Sequence, residues 1–309
     1  MLLVLTVRAL TYVWAGAIGL LVGSFLNVCI HRLPIEGQSV WNPRRSHCPA
    51  CRHAITWKEN LPVLSWVLQR GRCTACGWRI PIRYPLVEIL TAVLWCVVVW
   101  RTPEGAWGLL AVHLLVITGL IVATFVDFDC FEIPDEVSIG GMVLAPLCSL
   151  LVPRLHEATW IAREMTEGWT PGAPVDRAGA LAGCLAGMAV GGGVLWLIGK
   201  AGKLLYGRDA MGFGDVKLLA AGGGFVGPGG VLLALMVGSL LASVVGVANI
   251  VRYVCLTRRR ARARRRRQPF GKAVAIARIA GRYVPFGPYL GMGIGIALLA
   301  WKDGARLFE

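Results

Sequence analysis

Long apolar runs alternate with shorter polar or basic stretches along the whole chain. A membrane-spanning helix needs about 20 mostly apolar residues. The runs near 2–30, 86–100, 107–126, 137–152, 178–199, 216–226, 229–254 and 284–301 therefore predict about eight hydrophobic helices. The first run lacks a basic start and an A-x-A cleavage site, so it predicts a retained helix, not a cleaved signal. Gly183, Gly187, Gly191, Gly192 and Gly193 crowd the fifth run. Small residues of this kind let membrane helices approach closely.

Composition agrees with this pattern. Hydrophobic residues make up 56% of 309 and charged residues 16%, with a mean hydropathy of +0.63. An average soluble domain is about 45–50% apolar and about 25% charged, so an ordinary soluble enzyme or a disordered chain is excluded. The net charge of +15 is placed unevenly. Residues 31–85 hold nine Lys/Arg against Glu36 and Glu59, and residues 255–283 hold eleven and no acid. The positive-inside rule assigns both loops to the cytoplasm. Residues 153–177 carry three Arg and four acids and can lie outside. Eight spans satisfy all three assignments, with both termini outside. The Arg-rich run 258–267, flanked by spans, reads as an anchor on anionic lipid and not as a nucleic-acid site.

Cys48, Cys51, Cys73 and Cys76 form two CxxC pairs separated by 21 residues. This is close to a zinc-ribbon pattern, in which four thiolates hold one Zn²⁺. A cytoplasmic loop is reducing, which argues against disulfides. A closed Cys₄ site is structural, and a polar loop of about 50 residues needs such a staple to fold. Gly77 suits the second turn, while His47 and His53 are spare ligands at best. The division that follows is a first helix at 1–30, a zinc-binding loop at 31–85 and a membrane domain at 86–309.

Two acidic motifs fall at predicted helix ends on the same side. One runs from Val126-Asp127-Phe128-Asp129-Cys130 to Glu132-Ile133-Pro134-Asp135-Glu136, and the other is Gly212-Phe213-Gly214-Asp215-Val216-Lys217. Carboxylates at a membrane edge are costly and are candidates for function. Asp135 after Pro134 reads as a helix N-cap. Asp127 and Asp215 do not read as caps, and Gly212 and Gly214 would let a backbone approach Asp215. Two close aspartates can share a proton and activate water. Proton-coupled transport uses the same residue type, and on the carboxylates alone both readings stand.

Further motifs accompany these. They are Gly23-Ser24-Phe25-Leu26-Asn27-Val28-Cys29-Ile30-His31-Arg32-Leu33-Pro34, Tyr84-Pro85-Leu86-Val87-Glu88 and Val284-Pro285-Phe286-Gly287-Pro288-Tyr289-Leu290. With the CxxC pairs and both acidic motifs, in register from about residue 20 to 295, the chain resembles the type IV prepilin peptidases. That resemblance implies an all-α polytopic protease of the bacterial inner membrane that removes the basic leader of prepilins or pseudopilins on the cytoplasmic side. It implies Asp127 and Asp215 as the catalytic pair, and in many members N-methylation of the new terminus with S-adenosylmethionine. Asn27, Arg32, Arg83 and Glu88 are the polar candidates for the methyl-donor region, and helix-end pairing is their other reading. Asp129, Glu132, Gly212, Gly214 and Lys217 are the substrate-binding candidates, with Asp129 and Glu132 expected to attract the basic leader. Cys130 stands where the family commonly has histidine, and 153–177 and 258–267 look like insertions. A proton-coupled transporter and a non-catalytic zinc-bearing assembly platform are the rival readings.

Overall fold

The structure is a computed structural model that describes residues 2–35, 37–43, 45–170, 173–207, 211–263 and 285–305. The described residues form helices and no strand, with three isolated β-bridges between residues 39 and 79. The helices are α1 (Leu2–Arg32), α2 (Leu64–Leu68), α3 (Arg83–Arg101), α4 (Trp107–Cys130), α5 (Asp135–Leu151), α6 (Trp160–Glu164), α7 (Arg177–Tyr206), α8 (Phe213–Ala263) and α9 (Gly287–Ala305). Five helices, α1, α3, α4, α7 and α8, are long and apolar enough to cross a membrane. Helix α8 breaks at Gly227, whose φ is 71°, just before Pro228. Pro228 cannot donate to the helical ladder, so α8 has two arms, corresponding to the separate runs predicted at 216–226 and 229–254. With the shorter α5 and α9, eight helical segments follow the eight apolar runs. The start of the predicted 284–301 span and most of the basic loop 255–283 lie outside the described residues. Of the Arg-rich run 258–267, only its beginning is described, as a continuation of α8.

Local signals set several helix ends. Phe131 adopts a left-handed conformation and donates its N–H to the Asp127 carbonyl at 3.0 Å, closing α4. Asp176 caps α7 by accepting from the Gly179 N–H, and Gly207 in the left-handed region ends it. Asp135 is not a cap, contrary to the sequence expectation. Pro134 takes the N-cap position, Asp135 is the first helical residue, and its carboxylate pairs instead with Lys217 of α8.

Glycines decide how closely the helices approach. Gly19 and Gly23, four residues apart on α1, lie against Ala92 and Glu88 of α3, where a Cβ would sit 2.7 and 2.6 Å from backbone carbons. Gly187 and Gly191 of α7 abut the Gly223 and Leu219 carbonyls of α8, and Gly293 of α9 abuts Ala234. Gly193 faces open space, so it takes no part in the contact its cluster suggested. Around these contacts, Leu120, Leu195, Leu219, Leu290 and Ile294 fill a continuous core.

Two of the described segments between helices are also folded. At the end remote from Asp127, residues 153–176 contain a 3₁₀ turn (Pro153–His156) and α6. His156 is fully buried, 3.0 Å from Ser149 Oγ, and burial lowers it to about 4, so it is neutral near pH 7. At the other end, residues 33–82 are organised around Glu59. Its carboxylate accepts from the Thr56 N–H and hydroxyl, both at 2.8 Å, and from the Thr74 hydroxyl, and His53 lies 3.3 Å away. The bond from Thr74, followed by those from Thr56, draws Glu59 down to about 2.

Two outcomes are expected. Gly187→Ala would force α7 from α8, and overpacking of this kind costs about 1–3 kcal/mol. Gly193→Ala would be close to neutral, and thermal unfolding in detergent compares the two. Glu59 has a folded value below its ordinary 4.5. Its stabilisation is therefore complete above that pH and fades as the pH falls toward 2. Amide-exchange protection over residues 53–74 would be lower in Glu59→Gln than in the parent at neutral pH, and the gap would close across that acidic window.

Candidate active site and metal centre

Helix α4 ends at Cys130, α5 begins at Asp135, α8 begins at Phe213 and α9 begins at Gly287. These four ends meet. Asp127, one turn from the end of α4, is 5% exposed. Asp215 lies in the first turn of α8, next to Gly214, which packs on Ile133 at the end that carries Asp127. Gly287 is directed at Asp127, and a Cβ there would lie 2.6 Å from Asp127 Oδ2. Oδ2 is buried and has no hydrogen-bond partner among the described residues. Ile133 fills the space between Gly287 and Gly214, 3.0 and 3.4 Å from the Cβ positions those glycines lack. Gly212 borders Asp215 Oδ2 at 3.5 Å by the same measure. The two sequence-distant aspartates are thus brought to one end of the bundle, Asp127 buried against Gly287 and Asp215 half-buried beside Gly212. Gly287 was visible in the sequence only as part of a motif. Its position between two prolines was the one local sign that backbone, and not a side chain, is needed there.

The neighbouring charges are already paired. Arg83 Nη1 donates to Asp129 Oδ1 and Oδ2 at 2.6 and 2.5 Å, Nη2 donates to the Phe125 carbonyl at 3.2 Å, and the guanidinium lies over the Phe125 ring. Lys217 pairs with Asp135 and covers the Phe213 ring. Glu132 and Cys130 are exposed beside the site. Arg83 therefore belongs to the last turn of α4 as much as to the start of α3.

The other three polar candidates near the loop serve as its anchors. Arg32 Nη1 donates to the carbonyls of Ser39, Val40 and Pro43 at 3.3, 3.0 and 2.8 Å. Asn27 Nδ2 donates to the Tyr84 carbonyl at 3.1 Å, and Glu88 accepts the Val63 N–H at 2.7 Å. These bonds tie the start and the middle of the loop to α1 and α3 and join α1 to the first turn of α3. They assign none of the four residues to a methyl-donor pocket.

Within that loop the four cysteine sulfurs lie within 4.8 Å of one another. Cys48 and Cys76 are 3.8 Å apart, and Cys51 and Cys73 4.0 Å. Four sulfurs bound tetrahedrally at about 2.3 Å lie about 3.8 Å apart, so the set fits zinc. Each pair makes the same turn. The Arg52 N–H bonds the Cys48 carbonyl and the Gly77 N–H bonds the Cys73 carbonyl, both at 2.9 Å, with φ of 58° and 71°. A hydrogen bond from the Cys51 backbone leads the effects that draw Cys48 to about 7. The Trp78 backbone favours the Cys76 thiolate, but desolvation and the neighbouring sulfurs outweigh it and push that thiol to about 12. Four sulfurs this close could hold a metal ion. His53 is turned to Glu59, and His47 is not in the cluster.

Comparisons with known proteins agree with this arrangement. The family model for the bacterial peptidase A24 N-terminal domain matches residues 17–102, and that for the type IV leader peptidase family matches residues 114–247. A prepilin leader peptidase/N-methyltransferase of Aeromonas hydrophila is 36% identical over 92% of this chain and 88% of its own. Similar enzymes of Pseudomonas putida and Neisseria gonorrhoeae are 33% and 31% identical, over 94% and 75% of this chain and 90% and 80% of their own. No solved structure matches. Alignment along most of both chains, with the aspartates, glycines and cysteine pairs converging as described, establishes that this integral membrane protein belongs to the type IV leader peptidase family.

Proposed function

We propose that Asp127 and Asp215 are the catalytic pair of an aspartic endopeptidase that removes the leader of type IV prepilins or pseudopilins. The observation that carries this reading is their convergence from α4 and α8 at one end of the bundle, against the bare backbone of Gly287. Two carboxylates that meet in a substrate complex can hold one proton between them. The protonated acid donates to the scissile carbonyl oxygen, and the carboxylate takes a proton from the attacking water. Gly212 and Gly214 leave room for an extended substrate backbone beside Asp215. Nine basic residues in 31–85 support a cytoplasmic orientation for this end in the bacterial inner membrane.

The basic leader would lie outside the bilayer and the apolar segment after it within. Glu132, exposed at the lip, is available to the leader's positive charge, while Asp129 would have to exchange its Arg83 partner to contribute. The relatives' name extends the reading to a second reaction. The new N-terminal amine is methylated, with S-adenosylmethionine as donor. The cysteine cluster would hold Zn²⁺ in a structural role, stapling the loop that lies beside both reactions.

Asp127→Asn and Asp215→Asn are each expected to lower prepilin cleavage by at least about 10²–10⁴-fold, with membrane insertion retained. Full cleavage by either variant would return the molecule to the transporter or platform readings. Gly287→Ala would displace the Asp127 carboxylate. A shift of about 1 Å can cost about 10²-fold, and cleavage by membranes carrying normal amounts of the variant measures it. Metal analysis of the purified protein should find about one zinc per chain. Cys48→Ser should lower zinc content and reduce methylation more than cleavage.

A further inference from the structure

The described residues between α1 and α3 carry an apolar surface that the other described residues do not cover. Trp41, Trp57 and Leu68 are 76%, 72% and 71% exposed, and Leu64 and Val67 of α2 are more than half exposed. A folded loop surrounded by water on all sides would bury such groups, and contiguous exposed apolar surface marks a contact site. Two contacts show the depth at which this surface sits. The Trp41 ring lies 6.1 Å from the Phe25 ring, and Phe25 is an exposed residue of spanning helix α1, seven positions before its end. At 1.5 Å per residue that is about 10 Å inside the end of the helix. The Val63 N–H, immediately before α2, bonds Glu88 at 2.7 Å, and Glu88 is five positions into spanning helix α3, about 7.5 Å inside its start.

The loop therefore returns twice to the level of the spanning helices, and on α1 it does so beside a side chain that faces the bilayer. Apolar groups at that level, outside the helix bundle, meet lipid. Tryptophan is favoured at the boundary between headgroups and acyl chains, and a short apolar helix can lie in that plane. Charge agrees with this placement. Lys58 lies over the Trp57 ring, Arg52, Arg70, Arg72 and Arg79 are nearby in sequence, and Glu59 is occupied by hydrogen bonds from its own loop.

We propose that the cysteine-rich segment is an interfacial unit whose Trp41, Trp57 and α2 side chains insert into the phospholipid bilayer on the aspartate side of the bundle. Its partner is the lipid surface itself, an anionic headgroup layer above acyl chains. The metal cluster then sits above a surface seated in the membrane, close to where a substrate helix leaves the bilayer. This inference needs α1 and α3 to span the membrane and is independent of the catalytic assignment.

The test uses the full chain in vesicles of phosphatidylcholine and phosphatidylglycerol containing a phospholipid with a photoactivatable diazirine on its acyl chain. After irradiation, peptide mass mapping is expected to find lipid adducts at Trp41 and within 57–68, besides those on the spanning helices. Leu64→Asp/Leu68→Asp is expected to lower the 57–68 adducts at least several-fold while zinc content stays at the parent value. Adducts confined to the long helices would overturn the proposal. So would cross-links from 57–68 to a second copy of the chain, or an unchanged lipid yield in the double variant.

Discussion

Two carboxylates at the edge of a bilayer repel each other and resist leaving water, so the helices that carry them must be held together by something else. That force comes from close backbone contact. Gly187 and Gly191 on α7 allow α8 to approach to the distance of its own carbonyls, and Gly293 does the same between α9 and the second arm of α8. In lipid, where apolar surface gains little by leaving its surroundings, such packing is a main source of helix association. Asp215 rides on the helix positioned this way, and Asp127 is met by Gly287 at the start of α9. Adding a side chain at any of these points would push the two aspartates apart.

The charged groups around the pair serve a second purpose. Arg83 binds Asp129 through two bonds and also the Phe125 carbonyl, so the start of α3 clamps the last turn of α4. Lys217 and Asp135 join α8 to α5 in the same way. Pairs this exposed contribute only about 0–1 kcal/mol each. Their value lies in orientation, since each fixes a helix end that carries one of the two aspartates.

The loop between α1 and α3 is built on the same economy of contacts. It is too small to form a hydrophobic core of its own. Four sulfurs spaced for a tetrahedral ion gather its two turns, Glu59 collects hydrogen bonds between them, and Arg32 and Glu88 fasten it to the spanning helices. A loop tied to spanning helices at several points is held close against them, and its exposed tryptophans are the basis of the lipid contact proposed above.

The apolar runs specified the helices because in a bilayer only a helix satisfies every backbone group within one segment. The break at Gly227–Pro228 and the two cysteine turns were equally legible, because proline, glycine and CxxC spacing act through neighbouring atoms. The aspartates could be singled out because acids at apolar helix ends are costly and few. Their partners could not be read in this way. Asp135 looked like a cap and is an ion-pair partner of Lys217, Arg83 meets Asp129 across 46 positions, and Gly193 resembles Gly191 but has open space where a Cβ would point. Those outcomes depend on how far each helix is rotated and how deeply it is set against the next. Rotation and depth are decided by the packing of all the helices together, and so only the tertiary structure could reveal them.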